Sequence, residues 1–569
     1  MRFHAIACDY DGTLAWDGTV DSETIRALEE VRKSGRKLLM VTGRQLEDLQ
    51  RVFPHFELFD RIIAENGALV YDPATKQIKL LSERPSQKFI QQLRDRGVTP
   101  LSVGHVIVAT WHPMETVVMK TIRDLGLELN IIFNKGAVMV LPSGINKTSG
   151  VKVALKDLYL SRHNVVGIGD AENDHAFLEF CECSVAVSNA LPMLKERVDY
   201  VTRSDHGAGV RELIRMMIDS DLMQLRERLS RHDLLIGFSE LQKEIRLNSY
   251  GTNVLVAGSS GGGKSTLAAS FIEALGEKRY QFCLIDPEGD HTNLERTTIF
   301  GDSKAPPNPE EIPTLLQQPN QNAVVSLIGL SQEDRPGFLE HLFPLIQQLR
   351  TQYGHPHWLI IDEAHHVLPA SRRHAPMVLP KEAHGLFLIT VRPETIAESI
   401  LSVVNIILTV GDQAISGLIS FAERLNRQID TSHLRNPESG EAIFWRVRGE
   451  EKPVLFRTIP PETERRRHVR KYAEGELPPD SSFYFRGPQN KLKLRAQNLM
   501  VFLQLAEGVD DETWVHHLKH GDYSKWFAEQ IKDPELAEEA RRVEQQDLSP
   551  QESRRRIREI IEKFYTAPA

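Results

Sequence analysis

Residues 254–267 read VLVAGSSGGGKSTL, and within them Gly258, Gly263, Lys264 and Ser265 complete the spacing G-x-x-x-x-G-K-[ST]. The apolar run Val254-Leu255-Val256 predicts a buried strand before the loop, and the apolar spacing from Thr266 to Leu275 predicts a helix after it. That context makes the loop a cradle for nucleotide phosphates. Gly258, Ser259, Gly261, Gly262 and Gly263 let backbone N–H groups close on an anion at a helix N-terminus. Lys264 reaches the outer phosphates, the Ser265 hydroxyl suits Mg²⁺, and Thr266 completes the nucleotide contacts. The rest of the chain must supply a parallel sheet to hold this loop.

At 569 residues the chain exceeds one ordinary core and implies three or four domains. Its 41% hydrophobic and 26% charged residues describe a globular protein, not a disordered one. The start, from Met1-Arg2 straight into HAIACDYDGTL, has neither a leader nor a membrane segment, so a cytoplasmic protein without membrane partners is expected. Four cysteines, Cys8, Cys181, Cys183 and Cys283, fit neither a zinc nor a redox spacing and are expected to be buried thiols. A formal charge of −9 gives no general attraction to nucleic acid.

Upstream of the loop a different chemistry is written at predicted strand ends. The strand Ala5-Ile6-Ala7-Cys8 delivers Asp9 and Asp11, and Lys37 to Val41 delivers Thr42, Gly43 and Arg44. The strand from Asn164 to Gly169 delivers Asp170, Asn173 and Asp174, and Lys147 precedes an amphipathic helix. Parallel α/β sheets place their ligand crevice beyond the strand C-termini. Acids, a hydroxyl and a lysine gathered there suit Mg²⁺ and phosphate, with one carboxylate to attack phosphorus and a second to move the proton.

DYDGTL, VTGR, Lys147 and GIGDAENDHAFL resemble the four motifs of haloacid dehalogenase-superfamily phosphatases, closest to the Cof-type or sugar-phosphatase branch. The resemblance implies a Rossmann-like core at 1–215 with Asp9 as nucleophile and Asp11 as general acid/base. Thr42 and Lys147 would hold the phosphoryl group, with Asp9, Asp11 through its carbonyl, and Asp170 holding Mg²⁺. Asn173 and Asp174 would support the metal shell, and Gly43, Arg44 and Asn66 would lie at the substrate. Asn66-Gly67-Ala68 precedes a small α/β cap expected at about 82–141, where His105, Trp111, His112 and Lys135 are candidate substrate contacts.

Residues 216–230 predict a solvated connecting helix, and a P-loop domain is expected over 231–460. Gln281 to Ile285 predicts a strand ending in D-P-E-G-D, and Trp358 to Ile361 a strand ending in Asp362-Glu363. Asp362 suits Mg²⁺ through water, and Glu363 suits polarisation of the water that attacks a γ-phosphate. The letters DEAH suggest a two-lobed helicase, but no second lobe follows. Instead the D-P-E-G-D turn and LFLITVRP resemble HerA/FtsK-type ATPases, RecA-like P-loop enzymes that work as hexameric rings. That resemblance implies ATP as ligand and a homo-oligomer completed by a neighbour's arginine, with Arg372, Arg373, Arg424 and Arg427 as candidates. A sensor glutamine usual in the class is absent, leaving Thr390 in its region.

Pro-rich flanks and the basic run at 464–471 mark a linker at 461–480, and helical spacing over 481–569 predicts a small all-α domain. His516, His517 and His520 are expected to be structural rather than metal-binding. The whole is expected to be a bifunctional Mg²⁺-dependent hydrolase: a phosphatase on a small phosphorylated metabolite, a sugar phosphate by resemblance, joined to an ATP-hydrolysing motor or switch. Two alternatives stand beside it. One is a DNA-processing translocase with a nucleic-acid end phosphatase, disfavoured by the acidic charge. The other is an ATP-binding switch that governs the phosphatase.

Overall fold

The computed structural model describes residues 1–259, 261–291, 294, 296–370, 384–425, 427–447, 449, 451–462, 472, 477, 482–488, 490–531 and 533–565. The chain divides into two compact units, one of Met1–Lys264 with Phe271–Thr458 and one of Ser265–Ser270 with Ile459–Ala569.

In the larger unit the front half is built on an eight-stranded sheet. Ala5–Asp9 is central, between Lys37–Val41 and Val165–Gly169, and pairs with both in parallel. All three strands are apolar on both faces because helices cover both sides, as fully buried parallel strands require. Their C-terminal ends therefore adjoin, one strand spacing of about 4.8 Å apart, and bring Asp9, Thr42 and Asp170 to one edge. A separate antiparallel sheet, in the order Ser102–Val103, Val108–Trp111, Ala137–Pro142, Leu129–Asn134, forms the inserted cap. Gln87–Asp95 and Glu115–Asp124 cover that sheet through Phe89, Ile90, Leu93 and Val118.

The P-loop half is an eleven-stranded sheet. Its P-loop strand, Asn253–Gly258, lies between Leu386–Thr390 and Ile406–Val410, all parallel. Trp358–Ile361 comes next outward and Phe282–Asp286 after it, so one strand separates the P-loop from Asp362. Glycine is required at position 258, where a Cβ would stand 2.4 Å from the Val410 carbonyl oxygen. The two short strands expected before the P-loop are present as the antiparallel pair Leu234–Ser239 and Glu244–Leu247.

The connection between the halves departs from the solvated helix expected at 216–230. The helix His206–Ser220 ends, and Met223–His232 continues as 3-10 turns whose Leu225 and Leu229, with Leu222, are buried in the front core. Charge alternation concealed a leucine face at spacings of three and four residues. The halves then meet across a polar, buried junction. Glu182 accepts from Arg2, from the Tyr280 hydroxyl at 3.1 Å, and lies 2.6 Å from His163 Nδ1. The His163 ring stacks on Tyr280 at 3.7 Å, and His355 sits between Gln281 Oε1 at 2.6 Å and the Tyr159 carbonyl oxygen at 3.0 Å.

The smaller unit is not all-α. Phe483–Phe485 and Leu494–Ala496 pair as a hairpin, because alternating Phe483 and Phe485 give one face a strand pattern that the helical spacing downstream masks. Phe502, Trp514, Tyr523, Trp526 and Phe527 from the helices pack with them in one aromatic core. His517 is structural, 2.7 Å from Asp522 through Nδ1 and accepting the Arg486 N–H through Nε2 at 3.0 Å. The basic run at 464–471 lies outside the described residues.

Burial holds the junction histidines neutral, with His355 lowered to about 4, His232 to about 3 and His357 well below its ordinary value. In the unfolded chain histidines take up protons below about pH 6.5. Between there and about 4 the unfolded state therefore binds more protons, and stability falls as pH falls. Hydrogen exchange over 278–282 and 354–358 should accelerate from pH 7.5 to pH 5 once intrinsic rates are divided out. Protection constant over that range would refute the assignment.

Candidate active sites

At the front sheet edge Lys147 is almost fully buried, and its Nζ donates to Asp9 Oδ1 and Asp174 Oδ1, each at 2.5 Å. The lysine opens the helix Lys147–Asp157, which Asn146 caps with a reciprocal bond to Ser149. Gly67 lets this turn approach, since a Cβ there would meet the Asn146 carbonyl oxygen at 1.8 Å. Asp174 is fixed in turn by accepting the N–H groups of Asp170 and Ala171, both at 2.9 Å, through Oδ2. Burial, then Asp174 and Asp170, push the Asp9 carboxyl well up, while Lys147 opposes them. Burial lowers the Lys147 ammonium, but Asp174 and Asp9 outweigh it and hold the group above its ordinary value.

Oxygens of Asp9, Asp170 and Asp174 lie within 4.8 Å of one another. Such a set of hard donors fits a magnesium ion, which takes one or two carboxylates and otherwise water or phosphate oxygens. Asn66 Nδ2 is a buried donor with no partner among the described residues, while Asn66 Oδ1 accepts from Asn173 Nδ2 at 3.0 Å. Thr42, wholly buried, accepts the Arg44 N–H at 3.1 Å. Arg44 itself forks onto Asp11, with Nη2 to Oδ1 at 2.7 Å and Nε to Oδ2 at 2.8 Å, and donates to Asp48 at 2.7 Å.

Lys135 and Glu65 help tie the cap to this edge. Lys135, on the turn between two cap strands, places Nζ 2.5 Å from Asp170 Oδ2. Gly12 leaves room for that meeting, since a Cβ there would lie 2.4 Å from Asp170 Oδ2 and 2.6 Å from Lys135 Nζ. Glu65, wholly buried beside Asn66, accepts the N–H groups of His105, Val106 and Ile107 at 2.7, 2.7 and 2.9 Å. Of the cap residues singled out from sequence, only Lys135 reaches the acids. Trp111 is exposed, His112 pairs with Glu115 at 2.9 Å, and His105 stands over Glu65 at 3.4 Å.

In the P-loop half Lys264 opens the helix Lys264–Lys278, with Ser265 and Thr266 next in its first turn. Its Nζ donates to the Ser259 carbonyl oxygen at 2.8 Å, and Ser259 Oγ to Asp412 at 3.1 Å. Asp286 organises the D-P-E-G-D turn by accepting from Gly289 and His291, both at 2.7 Å, and His291 Nε2 lies 2.9 Å from Asp362. Glu363 has a positive φ of 39° and is pushed up to about 7 by burial, then by Asp362, with Lys264 opposing. Thr390 sits on the strand between the P-loop and the Asp-Glu strand, its Oγ1 3.2 Å from His365 Nδ1, which is 3.3 Å from Glu363 Oε2. Arg424 donates to the Pro393 carbonyl oxygen at 3.4 Å and Arg427 is exposed, while Arg372 and Arg373 lie outside the described residues.

Residues 6–112 and 116–214 match the family described as haloacid dehalogenase-like hydrolase. The phosphoglycolate phosphatase of Methanothermobacter thermautotrophicus is 30% identical over 220 residues, 37% of this chain and 97% of that protein. The chain belongs to the haloacid dehalogenase-like hydrolases. The phosphoglycolate phosphatase of Sulfolobus acidocaldarius is 31% identical over 225 residues, 38% of this chain and 97% of that one. A crystal structure of a haloacid dehalogenase-like hydrolase from Bacteroides thetaiotaomicron matches at 19% identity with a TM-score of 0.34, over 38% of this chain and 99% of that one. Residues 246–392 match the model of an AAA domain, so this hydrolase also carries a P-loop ATPase-type domain. No helix among the described residues is long and apolar enough to cross a membrane.

Sequence reasoning missed Glu65, His291 and His365. Glu65 had a signal, since it precedes Asn66-Gly67, but a lone glutamate gives no hint that it will bind three amides of the cap. Glu65→Ala in this hydrolase would leave those buried donors unmet, each costing roughly 1–3 kcal/mol. We expect faster hydrogen exchange at 105–107 and at least about a tenfold loss of kcat/KM at the front site, with ATP turnover unchanged. Unaltered exchange at those amides would refute the clasp.

Proposed function

We propose that the chain is a bifunctional hydrolase: a phosphatase that works through an aspartyl-phosphate on Asp9, joined to an ATP-hydrolysing P-loop domain. The observation that carries the reading is the buried Lys147 ammonium between Asp9 and Asp174, beside Asp170, at the C-terminal ends of adjacent parallel strands. In the reaction Asp9 attacks phosphorus while Lys147, Thr42 and the Asn66 amide hold the phosphoryl oxygens. Asp11 donates the proton to the leaving oxygen and then takes one from the hydrolytic water. To do so it must release a contact with Arg44, which makes Arg44 the residue that sets the position of Asp11. A magnesium ion at Asp9, the Asp11 carbonyl and Asp170 would neutralise charge on the phosphoryl oxygens. Holding Asp170 against Lys135 in the meantime keeps that acid paired.

The substrate is a small phosphomonoester, admitted under the cap. The named relatives make phosphoglycolate the first compound to test, with sugar phosphates second. Lys135 is the cap's cationic contact and suits an anionic substrate. In the P-loop domain Lys264 would leave the Ser259 carbonyl for the outer phosphates of ATP, and Ser265 and Asp362 are the residues that would hold a magnesium ion to offset the phosphate charge. Glu363 orients the water, and Thr390 with His365 links that glutamate to the γ-phosphate position. A ring of copies completed by an arginine of the neighbour belongs to the same reading.

The reading in which ATP acts as a switch on the phosphatase has one observation in its favour. The P-loop helix ends at Lys278, whose carbonyl oxygen accepts from Arg162 at 2.9 Å and lies 2.9 Å from His163 Nε2, two residues before the strand that delivers Asp170. The ends of the two catalytic elements thus share a carbonyl.

Asp9→Asn should lower phosphatase turnover by about 10³-fold or more and leave ATP hydrolysis in place. Lys264→Ala should lower ATP hydrolysis by about 10²-fold or more. Loss of both activities in either variant would exclude separate centres. Glu363→Gln should hold ATP without turnover; if ATP then still changes phosphatase kcat/KM, binding alone is the switch. A panel of phosphoglycolate and sugar phosphates, each with and without ATP, decides substrate and coupling together.

A further inference from the structure

Where the hydrolase half meets the P-loop half, an open cavity of about 520 Å³ is lined by Arg162, Arg197, Arg231, Lys278, His175 and His232. One carboxylate, Glu179, is on its wall, 4.0 Å from His175 Nδ1 and largely exposed. Arg231 pairs with Asp199 at 3.0 Å, but among the described residues no carboxylate lies within ion-pair distance of Arg162, Arg197 or Lys278. Their hydrogen bonds go to neutral groups instead: Arg162 to the Lys278 carbonyl at 2.9 Å, Arg197 to His175 Nε2 at 3.3 Å, and Lys278 to the Arg231 carbonyl at 3.2 Å. Of the lining residues, Arg231 and His232 each also bury one guanidinium or ring nitrogen, Nε and Nε2, that meets no hydrogen-bond partner among the described residues. Glu182, 3.6 Å from His232 Nδ1, is also engaged by Arg2, His163 and Tyr280, and it lies beyond ion-pair distance of Arg162, Arg197 and Lys278.

Arg162 and Lys278, half-buried, and the exposed Arg197 form a group of like charges with no carboxylate at ion-pair distance among the described residues, and an anion among them would offset their repulsion. Burial lowers the Arg162 guanidinium; Glu182 and Tyr280 oppose this, while Arg279 and Arg231 add to it, so the crowding is felt at that side chain. We propose that this cavity binds a phosphate-type anion, either free phosphate or the phosphoryl group of a small ester. Forked guanidiniums and a flexible ammonium suit a tetrahedral dianion, which accepts hydrogen bonds from several directions. The volume lies in the range of small-ligand pockets and is too small for a folded partner. Leu178, Leu194 and Val198 form its apolar wall, and among the described residues no tyrosine, tryptophan or phenylalanine lines it to stack on a base. His175 follows Asp174 of the acid loop, and Lys278 ends the helix that Lys264 begins, so one anion would brace both elements. Each hydrolytic centre releases phosphate, which makes the site a place for product to report on both.

The test uses the full chain with EDTA and no nucleotide, in an Asp9→Asn/Lys264→Ala background that weakens phosphate binding at both catalytic centres. Calorimetric titration with inorganic phosphate and, separately, with AMP should each show saturable binding that weakens as salt is raised. Adding Arg162→Gln/Arg197→Gln should weaken it at least tenfold. The exposed Arg197→Glu alone should give a loss of similar direction and keeps the test decisive if the paired variant does not fold. Tighter binding of phosphate assigns the free ion, and tighter binding of AMP assigns a phosphoester. No binding of either at 10 mM (about 2.7 kcal/mol weaker than a Kd of 100 μM), or binding unaffected by both sets of substitutions, overturns the proposal.

Discussion

The front site depends on keeping one ammonium and three carboxylates out of water in a volume a few ångströms across. Removing such ions from water costs several kcal/mol apiece, and the arrangement survives only when hydrogen bonds meet the remaining lone pairs and protons. Lys147 meets this by binding two acids at once, and Asp174 by accepting two backbone amides with the oxygen that Lys147 does not use. The third acid, Asp170, is met from outside the core by Lys135 and by the Thr13 hydroxyl at 3.3 Å. The balance is therefore closed only with the cap in place. Acid loop and cap position become one problem, because a carboxylate of the buried acid cluster is the one the cap lysine holds.

The cap is attached by more than its two chain connections. Glu65 has left-handed backbone and turns its carboxylate into the cap segment 105–107, while Asn66, also left-handed, turns its amide toward Asn173. Successive residues of one short turn thus serve the hinge and the reaction edge. Such conformations are uncommon for residues with a side chain and persist where the surroundings determine them. Gly67, next in line, is where the helix of Lys147 packs against this turn.

Much of this was legible because the chemistry sits at strand ends. Buried parallel strands announce themselves as apolar runs, and the polar residues that end or follow them stand out in the sequence by contrast, so Asp9, Thr42, Asp170 and Asp362 could be assigned to strand ends from the sequence alone. The haloacid dehalogenase motifs supplied the order. What stayed hidden were contacts between segments far apart in sequence. Nothing near Glu182 says that Arg2, His163 and Tyr280 will converge on it, and nothing near Leu225 says that its face is covered. A helical spacing with charges between the leucines describes a solvated helix and a buried turn equally well, and only the neighbouring core decides. The hairpin at Phe483 was lost to the opposite error, since its three-residue strands are shorter than the window in which periodicity shows.

The two halves could have been joined by a flexible tether, and each would then have kept its own core and its own chemistry. Instead the junction is polar and buried, an arrangement that fixes geometry more than it adds stability, because ionised groups gain little over apolar ones in such places. Arg2 precedes the first strand of the front sheet, Glu182 follows the helix of the acid loop, and Tyr280 stands between the P-loop helix and the strand of Asp286. A shift in any of these elements would separate charges that have no solvent to replace the lost partner. The junction therefore tolerates few intermediate positions.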